Sequence, residues 1–186
     1  AYTPLLPAIV AAHWFGPAEA AYLGAANLAG YLAGALIGRP FAVRHPAAVV
    51  VRPALIVATL SFIACGYPLG FGWFFAWRAA AGLAGGVMVV VAAPAVLPHV
   101  AASRRGLAAG VIFTGVGVGV IASGTIVPLL LRQGVQEAWF GLGALSLLLS
   151  VAAWSGWPSG PGQPAPVREQ AHPARPGSLG ALYVEY

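Results

Sequence analysis

The chain has 186 residues, of which 60% are hydrophobic and only 7% are charged, whereas roughly a quarter of the residues in a soluble domain are charged. Nine basic and four acidic side chains cannot cover the surface of a water-soluble protein of this size, and the mean hydropathy of +0.85 agrees. The net charge of +5 comes from arginines that punctuate apolar runs instead of forming one basic face, which argues against a nucleic-acid partner. The composition therefore predicts an all-α integral membrane protein whose main partner is the lipid bilayer.

Long charge-free intervals divide the first part of the chain into apolar segments, and an α-helix needs about 20 apolar residues to cross a bilayer. We place six helices at 1–15, 17–38, 47–65, 71–97, 106–131 and 137–154. The first is short and begins without a methionine or a flanking charge, so we expect it to be truncated. Residues 1–154 are thus predicted to form a six-helix transmembrane bundle.

A change of composition follows the sixth predicted helix. Residues 155–178 are rich in proline, glycine and polar side chains and cannot build a packed core, which predicts a linker. Residues 179–186 are apolar again and are predicted to begin a seventh transmembrane helix. Six helices, a linker and the start of another helix are the pattern expected of half a twelve-helix transporter.

The arginines predict the orientation of the bundle, because cytoplasmic loops carry an excess of positive charge. Seven of the nine fall on one predicted side, and these are Arg39, Arg44, Arg52, Arg104, Arg105, Arg168 and Arg175. Tryptophans favour bilayer interfaces, and Trp139 lies at a predicted outer helix end. We therefore expect a multi-pass protein of the plasma (inner) membrane with a cytoplasmic linker.

Glycines recur at intervals of four residues in three predicted helices and so line single helical faces. The rows are Gly30, Gly34 and Gly38 in the second helix, Gly82 and Gly86 in the fourth, and Gly115 and Gly119 in the fifth. Small residues let helix backbones approach closely in lipid. Static packing and surfaces that rock or slide during function both remain open as interpretations.

Arg78 is the most informative single residue, since it lies seven residues into the fourth predicted helix, roughly 10 Å from the outer end at about 1.5 Å per residue. Ionisable groups at that depth usually face a cavity or a partner, because their desolvation is costly. The alternative is that the side chain snorkels outward along its own stem. Lining of a substrate cavity is the interpretation we favour, and an arginine there suits an anionic group.

Three further polar residues are candidates for the same cavity. Asn27 and Tyr31 stand four residues apart on the second predicted helix and therefore share a face. Asn27 could equally well form a hydrogen bond to a neighbouring helix and have a purely structural role. Thr114 is a weaker candidate, because a hydroxyl can bond back to the backbone of its own helix.

The sequence contains few residues suited to catalysis. It has no aspartate, its four glutamates lie near helix ends or beyond the sixth helix, and its four histidines are dispersed. We therefore expect no catalytic residue, no metal site and no cofactor. A carboxylate proton relay is also absent from these six predicted helices.

The chain also resembles a known family in four blocks, which are AYTPLLPAIV, YLGAANLAGYLAGALIG, APAVLPHVAASRRGLAAGVIFTGVGVGVIASG and, after the linker, LGALYVEY. Together they resemble the YbfB/YjiJ branch of the major facilitator superfamily. The resemblance implies a secondary transporter of twelve helices in two halves, here the N-terminal half with its two inverted three-helix repeats. It further implies alternating access, an unknown small-molecule substrate and a C-terminal half as partner.

The superfamily's motifs are matched unevenly. Its loop motif GxLaDRxGR is matched by Gly34, Leu36 and Arg39, but Gly38 stands where the acidic residue is expected. The helix-four motif RxxxG is matched by Arg78 and Gly82, which strengthens the cavity interpretation of the arginine. A non-transporting membrane scaffold remains the main alternative, and a channel is less favoured because no ring of charges is visible.

Overall fold

The computed structural model describes residues 2–157, which form helices and turns with no strand in that range. The helices are α1 (Tyr2–Ala11), α2 (Pro17–Arg44), α3 (Ala47–Ala64), α4 (Phe71–Val96), α5 (Arg105–Leu131) and α6 (Val135–Ala152), with short 3₁₀ turns at Leu97–His99 and Ala102–Arg104. The predicted seventh helix at 179–186 and most of the predicted linker at 155–178 lie outside the described residues.

The predicted fold class is confirmed. Five of the described helices, α2 to α6, are long and apolar enough to cross a membrane, and α1 with 10 residues is the short one. The chain is therefore a multi-pass membrane protein whose residues 2–157 form a six-helix bundle.

Two predicted boundaries are wrong by several residues. α1 ends at Ala11 instead of 15, because the chain turns there and His13 adopts a φ of +57°. α2 continues through Pro40 to Arg44 instead of ending at 38. Proline removes one backbone donor, but its fixed φ is compatible with a helix. The helix stops only at His45, which has an extended backbone and precedes Pro46.

Local sequence explains where the other helices begin. Pro17 occupies the first turn of α2, and the Glu19 carboxylate accepts a 2.9 Å hydrogen bond from the Gly16 amide just before it. α4 follows Gly70 at φ +99° and α6 follows Gly134 at φ +137°. These left-handed conformations favour glycine, so each glycine sets the entry direction of the next helix.

The helices form a ring in which α4 packs between α2 and α3, α6 follows α3, α5 follows α6, and α1 closes the ring between α5 and α2. The packing of α2 on α4 is the most extensive. Two hydrophobic cores fill the bundle. One is aromatic and comprises Leu5, Ile9, Phe15, Leu23, Cys65, Phe74, Val127, Ala138, Trp139 and Leu142. The other is built from small residues of α3 and α4 and comprises Ala47, Val51, Ala54, Ala84, Val87, Val91 and Ala95.

Candidate functional site

Arg78 lies inside the bundle and is only 4% exposed. α4 carries its side chain toward α6, where the guanidinium carbon lies 5.8 Å from the centre of the Trp139 ring. The thiol of Cys65, which follows the end of α3, interacts electrostatically with the guanidinium. Residues from three parts of the ring therefore hold this charge in place.

Aromatic rings surround this arginine on the side of the first core. Phe74 lies one turn before Arg78 on α4, and its ring makes edge contacts with Phe15 at 4.9 Å and with Trp139 at 6.2 Å between centroids. A cation over a desolvated aromatic face gains about 2 kcal/mol. This contact offsets part of the cost of keeping a guanidinium away from water, and the low exposure means that the side chain does not snorkel to the surface in this conformation.

Asn27 bridges α2 to α4 at the level of Arg78. Its side-chain amide donates a 2.9 Å hydrogen bond to the backbone carbonyl of Arg78. Tyr31 lies one turn further along α2, beside Gly85 of α4, and is 39% exposed. The structure thus brings Asn27 into direct contact with Arg78, whereas the ring of Tyr31 lies further along α4, against Gly85.

The glycine rows of α2 and α4 face each other. A Cβ added at Gly30 or Gly34 would overlap the backbone carbonyl of Ala79 or Leu83 on α4, and one at Gly82 or Gly86 would overlap the backbone carbonyl of Asn27 or Tyr31 on α2. Gly38 packs against the side chains of Val87 and Val90. The two backbones touch along three helical turns, which only glycine permits.

The candidates on α5 lie elsewhere. A Cβ added at Gly115 or Gly119 would meet nothing within 4 Å among the described residues. Thr114 is exposed and donates a 2.8 Å hydrogen bond to the carbonyl of Gly110 on its own helix. The structure does not bring these three residues to Arg78.

The residues that match the loop motif are divided between two environments. Gly34 is buried against α4, whereas Leu36 is 68% exposed and Arg39 is exposed. Because α2 continues to Arg44, all three belong to a helix and none to a loop.

Sequence reasoning missed several residues of this region. Trp139, which the sequence marks only as an interfacial aromatic, is fully buried, and so is Cys65, which the sequence does not single out. A hydroxyl cluster between α3 and α6 was also missed, in which Thr59 lies 2.9 Å from Ser146 and 3.3 Å from Ser150 between oxygens. Spacing within one helix carries no signal for contacts between helices far apart in the chain.

Residues 2–157 contain no group of His, Cys, Asp or Glu side chains that could hold a metal ion. The helices define a polytopic membrane protein with a buried guanidinium, that of Arg78, and with helices that pack through glycines. The chain belongs to the family whose model is described as "Uncharacterised MFS-type transporter YbfB", which matches residues 1–186. The resemblance to the YbfB branch is thereby confirmed, and with it membership of a transporter family. No curated protein and no solved structure matches the chain.

Proposed function

We propose that this chain is one six-helix half of a secondary transporter that moves a small molecule by alternating access, without enzymatic chemistry. The family supports the transporter class. In this proposal the bundle rocks against a second bundle, and the substrate site lies between them near the middle of the membrane.

The observation that carries the proposal is the bare surface of α5. Val127 is the one buried residue of this helix, although its sequence is apolar apart from Arg105 and three hydroxyl residues. None of its six glycines, which are Gly106, Gly110, Gly115, Gly117, Gly119 and Gly124, has a neighbour within 4 Å of an added Cβ in the described chain. Glycine in a helix interior is less stable than alanine, so together they cost on the order of several kcal/mol.

Uncompensated glycines on an apolar helix are expected where another helix packs closely, because small residues supply the contact surface in lipid. Lipid alone gains nothing from them. We therefore assign the α5 surface to contact with the second bundle, and the rows at Gly115 and Gly119 to a surface that moves when the bundles rock.

We assign Arg78, Asn27 and Tyr31 to the wall of the substrate cavity. Arg78 lies beside aromatic and thiol groups, and its planar guanidinium suits recognition of an anionic group that enters the cavity. Asn27 fixes the backbone from which Arg78 projects. Because Arg78 is buried in this conformation, the proposal requires that rocking of the bundles opens a path to it. Thr114 would line the opposite wall on α5.

We further propose that the arginine-rich helix ends and the segment 155–178 lie in the cytoplasm, with the protein in the plasma (inner) membrane. Arg39 and Arg104 then lie on the same side, as the excess of positive charge on cytoplasmic loops requires. Impermeant labelling of single cysteines at these two positions in intact cells tests this. Labelling of one but not the other contradicts the arrangement.

The direct test of transport uses the complete protein reconstituted in proteoliposomes loaded with a mixture of small organic anions and neutral metabolites, whose redistribution is followed by mass spectrometry. We expect net movement of a compound, and its loss with Arg78→Ala. The matched control is Arg132→Ala, which removes an exposed arginine just after the C-terminal end of α5 and should transport normally. Unchanged transport with Arg78→Ala removes Arg78 from the mechanism.

Absence of any transport, together with a stable bundle, favours the scaffold alternative, for which the static backbone contact of α2 on α4 would suffice.

An Arg78→Lys variant tests separately whether the charge or the shape of the arginine side chain is needed for transport. It retains the positive charge but not the flat guanidinium that lies over Trp139, and we expect intermediate activity.

A further inference from the structure

A groove of about 420 Å³ opens between α2 and α3, with α4 as its floor. Its walls include Ile37 and Phe41 of α2 and Val49 of α3. These three side chains are 45%, 53% and 59% exposed, so the groove faces the surroundings of the bundle and not its core. The residues that line it are apolar apart from His45.

Basic side chains stand at one end of this groove. His45 lines it directly, and its ring lies 5.7 Å from the ring of Phe41. Arg44 is three residues after Phe41 and seven after Ile37, so it projects from the same face of α2. Both basic side chains are exposed, and neither has a hydrogen bond or ion pair to the described residues.

A nearby arginine shows the contrast. Arg52 of α3 donates hydrogen bonds from Nε and Nη2 to the backbone carbonyl oxygen of Trp154 at 3.2 and 3.1 Å. Its guanidinium carbon also lies 5.2 Å from the centre of the Trp154 ring. It therefore fastens α3 to the end of α6. Arg44, in contrast, is free to meet a group that comes from outside the described chain.

We propose that this groove binds an anionic phospholipid, with an acyl chain along the apolar walls and the phosphate at Arg44 and His45. Charge complementarity identifies the occupant, because basic residues at helix ends attract anionic headgroups. A peptide fits less well, because its backbone amides would find few hydrogen-bond partners on these walls. An acyl chain carries no such groups. This proposal is independent of transport.

The test equilibrates the complete protein in mild detergent with equal amounts of phosphatidylglycerol and phosphatidylcholine of the same acyl chains, and native mass spectrometry counts the retained lipid. We expect phosphatidylglycerol to be retained in preference. Arg44→Gln should weaken its retention roughly five-fold, and Arg44→Gln with His45→Gln further. Arg104→Gln, an exposed arginine at the same end of the bundle but away from the groove, is the matched control.

A second variant tests the apolar part of the site. Val49→Trp adds bulk to an exposed wall without entering either core, so it should lower retention of lipid while the midpoint of thermal unfolding stays unchanged. Equal retention by the Arg44 and Arg104 variants overturns the proposal, as does equal retention of the two lipids. If a photocrosslinker at Val49 reacts with polypeptide and not with lipid, the groove belongs to a protein partner and the proposal also fails.

Discussion

α4 and α5 are similar in sequence and opposite in environment. Both are long, apolar and rich in glycine, with 26 and 27 residues. The glycines of α4 at Gly82 and Gly86 touch the backbone of α2, whereas those of α5 at Gly115 and Gly119 touch nothing in the described chain. A third of the most apolar window of α4 is buried, compared with 6% of that of α5.

The difference teaches that a row of glycines predicts close approach without saying what approaches. On α4 the neighbour is α2 of the same bundle, and the result is rigid backbone contact reinforced by the bond from Asn27. On α5 no helix of the described chain touches these glycines, and the neighbour that we propose is the second bundle. We expect substitutions on α4 to reduce the stability of the bundle and substitutions on α5 to affect its association and movement.

The largest effect is expected from adding a side chain at the α2–α4 contact. Gly82→Val forces a Cβ onto the carbonyl of Asn27, and overpacking against backbone should cost about 3 kcal/mol or more. The midpoint of thermal unfolding in detergent measures this. Gly115→Val is the matched change on α5 and should leave the midpoint within error. Equal losses from both variants would show that the α5 surface is packed within this bundle after all.

The next effect concerns the aromatic support of the buried charge. Trp139→Leu removes the ring over Arg78 and should cost about 2 kcal/mol through the lost cation–π contact alone. The free energy of unfolding of the bundle measures the loss. Phe113→Leu, at an exposed aromatic on α5, should have little effect. If the tryptophan variant is as stable as the control, the ring does not support the guanidinium.

A smaller effect is expected at Asn27. Asn27→Ala removes its hydrogen bond to the carbonyl of Arg78, and interhelical hydrogen bonds in membranes contribute about 0.6 to 2 kcal/mol. Thr114→Ala is the control on α5, where the hydroxyl bonds only to its own helix. Chemical unfolding of the two variants side by side gives the difference. A destabilisation by Thr114→Ala of the same size would contradict the contrast between the helices.

The smallest effect is expected in the hydroxyl cluster between α3 and α6. Thr59→Val removes the oxygen shared with Ser146 and Ser150 and should cost about 0.6 kcal/mol, the average for such bonds in lipid. Thr125→Val on α5 deletes a hydroxyl that bonds only to the carbonyls of Ile121 and Ala122. Double-mutant cycles with Ser146→Ala resolve the coupling, and zero coupling would mean that the cluster is not formed.

Much of the fold follows from the sequence because lipid imposes helices on apolar segments of sufficient length. Four of the six helices begin and end within about two residues of the predicted positions, and the exceptions are α1, which ends where the chain turns before His13, and α2, which continues through Pro40 to Arg44. The charge-free run ends before Arg39 and so predicted the end of α2 at 38, yet the helix continues through Pro40, whose fixed φ is compatible with a helix.

The candidate site could be predicted only in part. The depth of Arg78 along α4 predicted that this residue has a functional role. The sequence did not predict that Trp139 and Cys65 would surround it, because 61 and 13 positions separate them from Arg78 in the chain. The glycine rows of α4 and α5 look equivalent in the sequence. Only the packing of the helices distinguishes the surface that is used within the bundle from the one that is left bare.

The measurement that tests the central claim most directly places a photocrosslinking amino acid at Val118 of α5 in the complete protein, in native membranes. Leu148 of α6, which is also exposed, serves as the matched position. The account predicts that Val118 crosslinks to polypeptide outside residues 2–157, while Leu148 crosslinks mainly to lipid. Crosslinking of both positions to lipid alone would contradict the assignment of α5 to contact with a second bundle.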